Sequence, residues 1–254
     1  MSASKDVAVL ATEPSIPVQD FASRFREEMI PLNQQVSYFF VGATPTANEM
    51  REFLEEPVAA LPPLITKLMQ RTDLLFVPFI EQITAKKTST DRVALVRPEK
   101  SVTYARTSFP DREAFFTAFH DRDIGEYHYR FFQFIATLTA DLKQEVITKN
   151  YLPILRQELR TKTHGEVDEL SWEQKIALLE KQSSFQGTSK QLKEYARQSF
   201  IDTLTLYLHG ICCDLDVEPG PRQLASRHLR KRLELLKELF PPPAGYSIFP
   251  EEKN

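Results

Sequence analysis

Apolar side chains recur every three or four residues over much of this chain, which is the period of an α-helix. The longest such stretch covers residues 124–159, where a continuous apolar stripe begins near Phe131. Pro153 lacks the N–H that the helical ladder needs, so it predicts a kink or a break near Tyr151. We therefore expect one central helix that contacts neighbours on more than one of its faces.

The same period predicts further helices, most of which begin or end at a proline. Thr46 with Glu49 three residues later has the spacing of a capping box, and Thr188 or Ser189 can cap a long helix. In the first third of the chain the prolines predict short, angled helices. The predicted segments are residues 18–30, 32–41, 46–57, 62–69, 73–84, 110–119, 172–183, 189–208 and 222–239.

One stretch departs from this period. Residues 92–97 and 101–106 alternate apolar and polar side chains around a turn that contains Pro98, which predicts a β-hairpin. An isolated hairpin is only marginally stable, so we expect it to pack on helices or to pair with a second copy. With only seven glycines in 254 residues, the expected fold is an all-α globule of eight to ten helices with this one hairpin, at about residues 92–106.

The chain has no internal repeat and no low-complexity segment. We expect residues 1–16 to form a disordered tail, residues 17–240 a single helical domain, and residues 241–254 a proline-rich C-terminal tail. If the domain has two parts, the polar loop at 85–92 is the predicted sub-boundary. Residues 214–221 resemble a linker.

The amino-acid composition limits where the protein is expected to be found and which partners it is expected to bind. The formal net charge is −3, from 32 basic and 35 acidic residues, so no global field attracts nucleic acid or an anionic membrane. Cys212 and Cys213 are adjacent and have no other cysteine to pair with, which favours a reducing compartment. The chain shows no signal-peptide pattern and no apolar run long enough to span a membrane. We expect a cytoplasmic protein.

The densest group of metal-ligand side chains is His120, Asp121, Asp123, Glu126 and His128. Imidazole and carboxylate together suit zinc, iron or manganese. However, the Glu-x-x-His spacing of a di-iron bundle is absent from the sequence. A solvated, charged connector explains these residues more simply. The sequence thus predicts no cofactor and leaves a metal ion at His120, Asp123 and Glu126 as the alternative.

A second group of polar residues falls on two helices that we expect to line the core. His209 follows Asp202 by two helical turns, and His128 lies on the apolar stripe of the central helix. A ligand cavity between these helices is one interpretation; the other is a histidine that the dipole near a helix C-terminus stabilises. Apart from this group, we expect an interior of aromatic rings and aliphatic side chains with few charged groups. The candidate ligand-binding residues are His128, Tyr129, Tyr195, Asp202 and His209.

The last predicted helix carries the most concentrated positive charge. Arg227, Arg230 and Lys231 lie opposite its apolar stripe and are expected to face water. Such a face suits an acidic protein partner or the phosphates of nucleic acid. A merely solvated helix face is the simpler interpretation, and the acidic balance of the whole chain argues against nucleic acid.

The sequence contains no nucleophile elbow, glycine-rich phosphate loop, dinucleotide fingerprint or zinc-protease motif. The leading hypothesis is therefore a non-enzymatic scaffold or protein-interaction module that binds a protein partner or a second copy of itself. The rival is an enzyme or ligand carrier with a cavity near His128 and His209. The third hypothesis is nucleic-acid binding through residues 222–239. Whether the protein is an enzyme is left open.

Overall fold

The chain folds into a mixture of helices and two β-sheets. A computed structural model describes residues 15–85, 88–181, 185–213, 222–249 and 251. Helix accounts for 54% of the structure and strand for 20%, with the strands arranged in a five-stranded and a four-stranded sheet. The prediction of an all-α helical globule is therefore wrong, and the fold is a mixed α/β fold.

The strands all lie in the first half of the chain, within the described residues. They are β1 (Ser15–Pro17), β2 (Ile30–Pro31), β3 (Val36–Phe40), β4 (Arg71–Val77), β5 (Phe79–Ala85), β6 (Thr88–Ala94), β7 (Ser101–Val102), β8 (Tyr104–Ser108) and β9 (Arg112–Ala118). One sheet has the order β2-β3-β4-β9-β8, with β3, β4 and β9 parallel. The other is antiparallel, in the order β1-β6-β5-β7.

The helices flank and follow these strands. They are α1 (Val18–Arg24), α2 (Ala47–Met50), α3 (Glu56–Ala59), α4 (Pro63–Leu68), α5 (Ile124–Leu142), α6 (Gln144–Val146), α7 (Leu152–Arg160), α8 (Glu169–Lys181), α9 (Lys190–Cys212) and α10 (Ser226–Leu239). Two π-helical turns, Arg51–Glu55 and Ile147–Tyr151, precede α3 and α7, and short 3₁₀ turns lie at Arg26–Glu28 and Phe119–Asp121.

Three segments that the apolar period assigned to helices are strands. Residues 32–41 contain β3, residues 73–84 contain most of β4 and β5, and residues 110–119 contain β9. Each strand has only five to seven residues and is rich in Phe, Val, Leu or Thr. Strands β4 and β9 are buried on both faces and show no two-residue alternation, so their pattern cannot be told from that of a buried helix.

The predicted hairpin at 92–106 is also wrong. Both of its runs contain strands, but they do not pair with each other. Strand β6 pairs with β5 and β1, whereas β8 pairs with β9 in the other sheet. The alternation identified extended backbone correctly, yet alternation carries no information about which strand lies alongside.

Several local predictions are confirmed. Thr46 and Glu49 form both hydrogen bonds of the capping box, and the Ser189 side chain caps α9 by accepting from the Leu192 N–H. The central helix exists as α5 but ends at Leu142, before the predicted break, because Lys143 leaves the helical conformation; near Tyr151 the chain stays helical, through a π-helical turn that leads into α7. The two caps depend on neighbours within four residues, which explains why the sequence alone indicated them.

Two compact units make up the chain. The first comprises residues 1–55 and 69–130, and the second comprises residues 56–68 and 131–254. Of the loop predicted as a sub-boundary, at 85–92, Ala85 lies in β5 and residues 88–92 lie in β6 of the first unit, while residues 86–87 lie outside the described residues. Of the predicted N-terminal tail, residues 1–14 lie outside the described residues, while Ser15 and Ile16 pair with β6. The linker-like segment 214–221 also lies outside the described residues.

The first unit is built around its sheets. Helix α1 contributes Phe21 to a core that also contains Leu75 of β4 and Val93 of β6. On the opposite face of the five-stranded sheet, Phe76 stacks on Phe40 with ring centroids 4.3 Å apart. The neighbouring strand residues Leu75 and Phe76 thus bury opposite faces of β4, as the strand geometry requires.

The second unit is helical among the residues described. Helix α9 is its central element, because α8, α10 and the π-helical turn before α7 all pack against it. Phe200 and Leu204 on α9 are fully buried, and Tyr207 of the same helix donates to the Phe240 carbonyl after α10 at 2.6 Å. This arrangement brings α7, α8 and α10 around one face of α9, where the candidate site lies.

Candidate anion-binding cleft and its buried ion network

The interior of the second unit contains a fully buried arginine. Arg232 of α10 has no solvent-exposed surface. Its two terminal nitrogens donate to the two carboxylate oxygens of Glu166 at 2.7 and 3.0 Å. Its Nε lies 3.2 Å from Oε2 of Glu158, and Nη2 donates to the same carboxylate. One guanidinium therefore holds two buried carboxylates, with planar pairing that a lysine does not provide.

The Glu166 carboxylate is also contacted by polar side chains on α8 and α9. The Tyr195 hydroxyl donates to one of its oxygens, and the Ser199 hydroxyl donates to the other at 3.3 Å. The Lys175 ammonium lies 3.6 Å away. Burial alone would raise the pKa of Glu166, but the charge of Arg232 and its hydrogen bonds outweigh burial and hold the pKa below its usual value. Glu166 is thus an ionised carboxylate inside the unit.

Lys175 completes the charge balance. Its ammonium donates to the carbonyls of Thr163 and Gly165, each at 2.8 Å. Burial lowers the pKa of Lys175, and the charge of Glu166 opposes that shift. Two cations, Arg232 and Lys175, therefore face two carboxylates, Glu158 and Glu166. A balanced, hydrogen-bonded set is the arrangement in which buried charges are tolerated.

This network contradicts the expectation of an interior with few charged groups. The apolar period did contain a signal for three of the four charged residues, because Arg232, Lys175 and Glu158 each occupy a position on an apolar stripe, whereas Glu166 lies in the connection between α7 and α8. Arg232 lies three residues after Leu229 and four before Leu236, and Lys175 lies three before Leu178. Glu158 similarly follows Leu155 by three. The sequence did not single out these four residues, because charged side chains are usually solvated.

Helix α7 ends in a Schellman motif next to the network. The Thr163 N–H donates to the Glu158 carbonyl at 2.9 Å, and the Lys162 N–H donates to the Leu159 carbonyl at 3.2 Å. Lys162 has a φ of 54°, the left-handed conformation that this motif requires. The chain then passes through Gly165 to the buried Glu166. The residues between the helix end and Glu166 form one wall of a cleft.

The start of α10 forms the other wall. Glu166 pairs with Gln223 in a parallel bridge, in which the Glu166 N–H donates to the Arg222 carbonyl and the Leu224 N–H donates to the Glu166 carbonyl. Gly165 has a φ of 85°, and a Cβ at this position would lie 2.2 Å from the Gln223 carbonyl oxygen. The two walls can approach this closely because residue 165 has no side chain.

The cleft between these walls has a volume of about 470 Å³. Five of its side chains carry nitrogen donors and two carry hydroxyl groups, whereas no carboxylate is present among the described residues that line it. Its lining residues are Thr161, Lys162, Thr163, His164, Gln223, Ala225, Arg227 and His228. The cleft therefore presents positive charge and hydrogen-bond donors, which suit an anion.

His228 connects the cleft to the buried network. Its Nδ1 lies 3.7 Å from Oε1 of Glu158, and its Nε2 accepts from the Arg227 Nε at 3.2 Å. At the other wall, the His164 ring lies edge-on to the Trp172 ring, with centroids 5.0 Å apart. The two imidazoles thus have defined surroundings on opposite sides of the cleft.

The predicted metal ligands have other contacts. Asp123 caps α5 by accepting from the Glu126 N–H at 2.8 Å, and Glu126 accepts from the Thr103 hydroxyl at 3.2 Å. The His120 ring lies 5.2 Å from that of Phe79. Within the described residues, these three side chains do not bring three ligand atoms within 4.8 Å of one another. A metal ion there stays a prediction.

The predicted ligand-binding residues belong to both units. In the first unit, His128 contacts the Glu52 carbonyl through Nε2 at 2.7 Å, and the Tyr129 ring lies 5.5 Å from the Arg130 guanidinium. In the second unit, the Tyr195 hydroxyl binds Glu166. Asp202 accepts from the Ser171 N–H at 3.2 Å and from Gln198 at 2.7 Å, and the ring of His209 lies 5.8 Å from that of Phe132. A shared cavity stays a prediction.

The predicted partner-binding residues lie on the exposed side of α10. Arg227 lines the cleft, whereas Arg230 binds the carboxylates of Glu234 and Glu251. Lys231 donates to the Gln157 side chain at 2.9 Å. Only Arg227 thus belongs to the candidate site. The sequence did not indicate Lys162, His164 or His228, because they come from two segments about 60 residues apart that only the tertiary structure brings together.

In the described parts of the chain, no helix combines the length and the hydropathy that crossing a bilayer requires. The chain was compared with known protein families, curated proteins and solved structures. No family model matches it, and neither the curated proteins nor the solved structures include a significant match.

Proposed function

We propose that the second unit binds a small organic anion in the cleft between the end of α7 and the start of α10. The observation that carries this proposal is the lining of the cleft: Lys162, Arg227 and two imidazoles without an opposing carboxylate among the described lining residues. The volume of about 470 Å³ falls within the range of small-molecule sites. The protein is then a ligand-binding protein.

The positive charge of the cleft is a local feature. The chain as a whole carries a formal charge of −3, so the cleft is not part of a generally basic surface. Cations grouped on concave walls attract an anion more strongly than the same cations scattered on a convex surface, because less water screens them. This contrast favours a specific anion site over nonspecific binding of polyanions.

The walls of the cleft are fixed before a ligand arrives. The bridge between Glu166 and Gln223 joins them through backbone hydrogen bonds. Arg232 joins them again, because it lies on α10 and binds Glu158 of α7 and Glu166 beyond it. A site whose walls are already ordered loses less conformational entropy when it binds a ligand.

The test measures binding of phenyl phosphate and benzoate by isothermal titration calorimetry, with uncharged benzyl alcohol as the reference ligand. We expect at least one of the two anions to bind and the alcohol not to bind. Arg227→Ala should weaken anion binding by about tenfold or more, since it removes a charged hydrogen-bond donor. Arg230→Ala, which changes the same helix outside the cleft, should leave the affinity within about twofold.

Two results would contradict the proposal. One is the absence of binding of both anions at millimolar concentration. The other is an equal loss of affinity in Arg227→Ala and Arg230→Ala, which would show a general charge effect of α10 instead of a site in the cleft.

The hypotheses of a protein-interaction scaffold, and of an enzyme or carrier with a cavity near His128 and His209, stay predictions. Nucleic-acid binding through residues 222–239 has weaker support than the anion cleft. Arg230 already binds two carboxylates, which reduces the charge that this helix can offer to phosphates along a polymer.

A further inference from the structure

We propose that Lys162 is a ligand-binding residue that occupies a position where the fold favours glycine, and that the group it binds is a phosphate monoester. This inference rests on the proposed function, because it concerns the same cleft. It is carried by the backbone conformation of Lys162, by the absence of a described partner for its side chain, and by the composition of the cleft.

The position of Lys162 is one that glycine usually fills. Both hydrogen bonds of the Schellman motif are present, and Lys162 is the residue in the left-handed conformation. An L-residue there brings its Cβ close to the following carbonyl oxygen, which glycine avoids. At the other described positions with positive φ, the chain has glycine: Gly42, Gly165 and Gly245. Lys162 is the exception within the described residues.

The Lys162 side chain contributes no ion pair or side-chain hydrogen bond within the part of the chain that the structure describes. Lys149 and Lys231, by comparison, contact Glu145 and Gln157. The dipole at the C-terminus of α7 also attracts the Lys162 ammonium, which is a structural role. Measuring the affinity of the Lys162 variants for a ligand separates that role from ligand binding. The ammonium of Lys162 is thus available to a ligand in the cleft that it lines.

The charge of the cleft favours a doubly charged group over a carboxylate. Lys162 and Arg227 contribute two permanent cations, and the rings of His164 and His228 add nitrogen atoms that can form hydrogen bonds. A phosphate monoester carries close to two negative charges and three strong acceptor oxygens. A carboxylate carries one charge and leaves part of the donors without a partner. The cleft also exceeds the space that a single phosphate group fills, so an organic body accompanies the phosphate.

The test uses Lys162→Gly and compares two properties that should change in opposite directions. The melting temperature should rise by about 2–4 °C, because glycine relieves the strained backbone. The affinity for phenyl phosphate should fall by about tenfold or more, because the ammonium is lost. Lys162→Arg is the matched control: it keeps the charge and the strain, so the melting temperature should not rise and the affinity should stay within about threefold.

Three ligands test the phosphate assignment on the unmodified chain. Phenyl phosphate should bind about tenfold or more tightly than benzoate, which has the same ring and a single charge, and this preference should shrink in Lys162→Gly. Inorganic phosphate should compete for the same site with lower affinity, because it leaves the rest of the cleft unfilled.

Each failure has its own meaning. If Lys162→Gly binds phenyl phosphate as well as the unmodified chain does, Lys162 is not a ligand-binding residue. If benzoate binds as tightly as phenyl phosphate, or inorganic phosphate binds as tightly as the ester, the monoester assignment is wrong while the anion site stands. If neither phenyl phosphate nor benzoate binds, the proposed function itself fails.

Discussion

Arg232 illustrates how one side chain can organise the interior of the second unit. Its guanidinium contacts Glu158, Glu166 and the Ser199 hydroxyl, which lie on or beside three different helices. A buried ion pair adds little net stability compared with a well-packed apolar pair, because both charges lose their hydration. The effect of Arg232 is to fix geometry: Glu158 and Glu166 must both lie where its guanidinium can bind them.

We predict that Arg232→Met lowers the free energy of unfolding by about 3–5 kcal/mol, because two buried carboxylates lose their main partner. Urea unfolding followed by circular dichroism measures this change. Adding Glu158→Gln to Arg232→Met leaves Glu166 paired with Lys175 at 3.6 Å and removes the other buried carboxylate, so the double variant should be more stable than Arg232→Met alone. A double variant less stable than the single one would show that shape, and not charge, dominates.

Asp202 makes the stability of the protein depend on pH. Burial raises the pKa of Asp202 to about 6, from an ordinary value of 3.8. The folded chain therefore retains a proton that the unfolded chain has already released, so this group makes the protein less stable as the pH rises from about 4 to about 6. Above that window its contribution is constant.

We predict that Asp202→Asn removes this contribution. The free energy of unfolding of Asp202→Asn, relative to the unmodified chain, should increase by up to about 3 kcal/mol between pH 4 and pH 6 and then level off. Urea unfolding at several pH values gives the comparison. Parallel pH profiles for the two chains would contradict the assignment of a buried, protonated Asp202.

The connection from α7 to α8 shows how one short segment can serve both fold and site. It ends a helix, forms a wall of the cleft and delivers Glu166 to Arg232. The crossing of this segment with the residues before α10 depends on Gly165, where the backbone of Gln223 occupies the space that a Cβ would need. Close backbone approach of this kind requires glycine.

We predict that Gly165→Ala destabilises the protein more than Gly245→Ala does. Both glycines have positive φ, at 85° and 87°, but only Gly165 has a neighbour within 4 Å of the added Cβ. Gly245→Ala should cost about 1 kcal/mol from backbone strain, and Gly165→Ala about 2 kcal/mol or more beyond that, from the clash. If the two variants lose the same stability in thermal unfolding, the backbone of Gln223 can move away from the added Cβ without a free-energy cost.

The long helices could be predicted from the sequence, whereas the short strands could not. Helices α5, α9 and α10 were predicted because many turns repeat the same stripe, and the repetition outweighs single exceptions. The apolar period predicts helices at β3 and β9, because a run of five to seven largely apolar residues is too short to distinguish the two periods. Parallel pairing of β3, β4 and β9 joins residues distant in sequence, and no local pattern marks it.

The whole molecule combines a sheet-containing unit with a helical unit, and the chain passes between them more than once. Residues 56–68 belong to the second unit although both of their flanking segments belong to the first. The low glycine content was a misleading guide to the amount of β-structure in the whole chain. Few glycines suggested few strands, but none of the described strands contains glycine, and the parallel strands β3, β4 and β9 are joined by long crossovers instead of tight glycine turns.

Features that depend on neighbours within a few residues could be predicted from the chain alone: the capping box at Thr46, the cap at Ser189 and the amphipathic stripes of the long helices. Tertiary structure decided which strands pair, and which charged side chains on those stripes meet each other. Arg232 lies 66 and 74 residues from its two carboxylate partners. Only folding brings such groups within hydrogen-bonding distance, because a charge on an apolar stripe is tolerated when a distant residue compensates it.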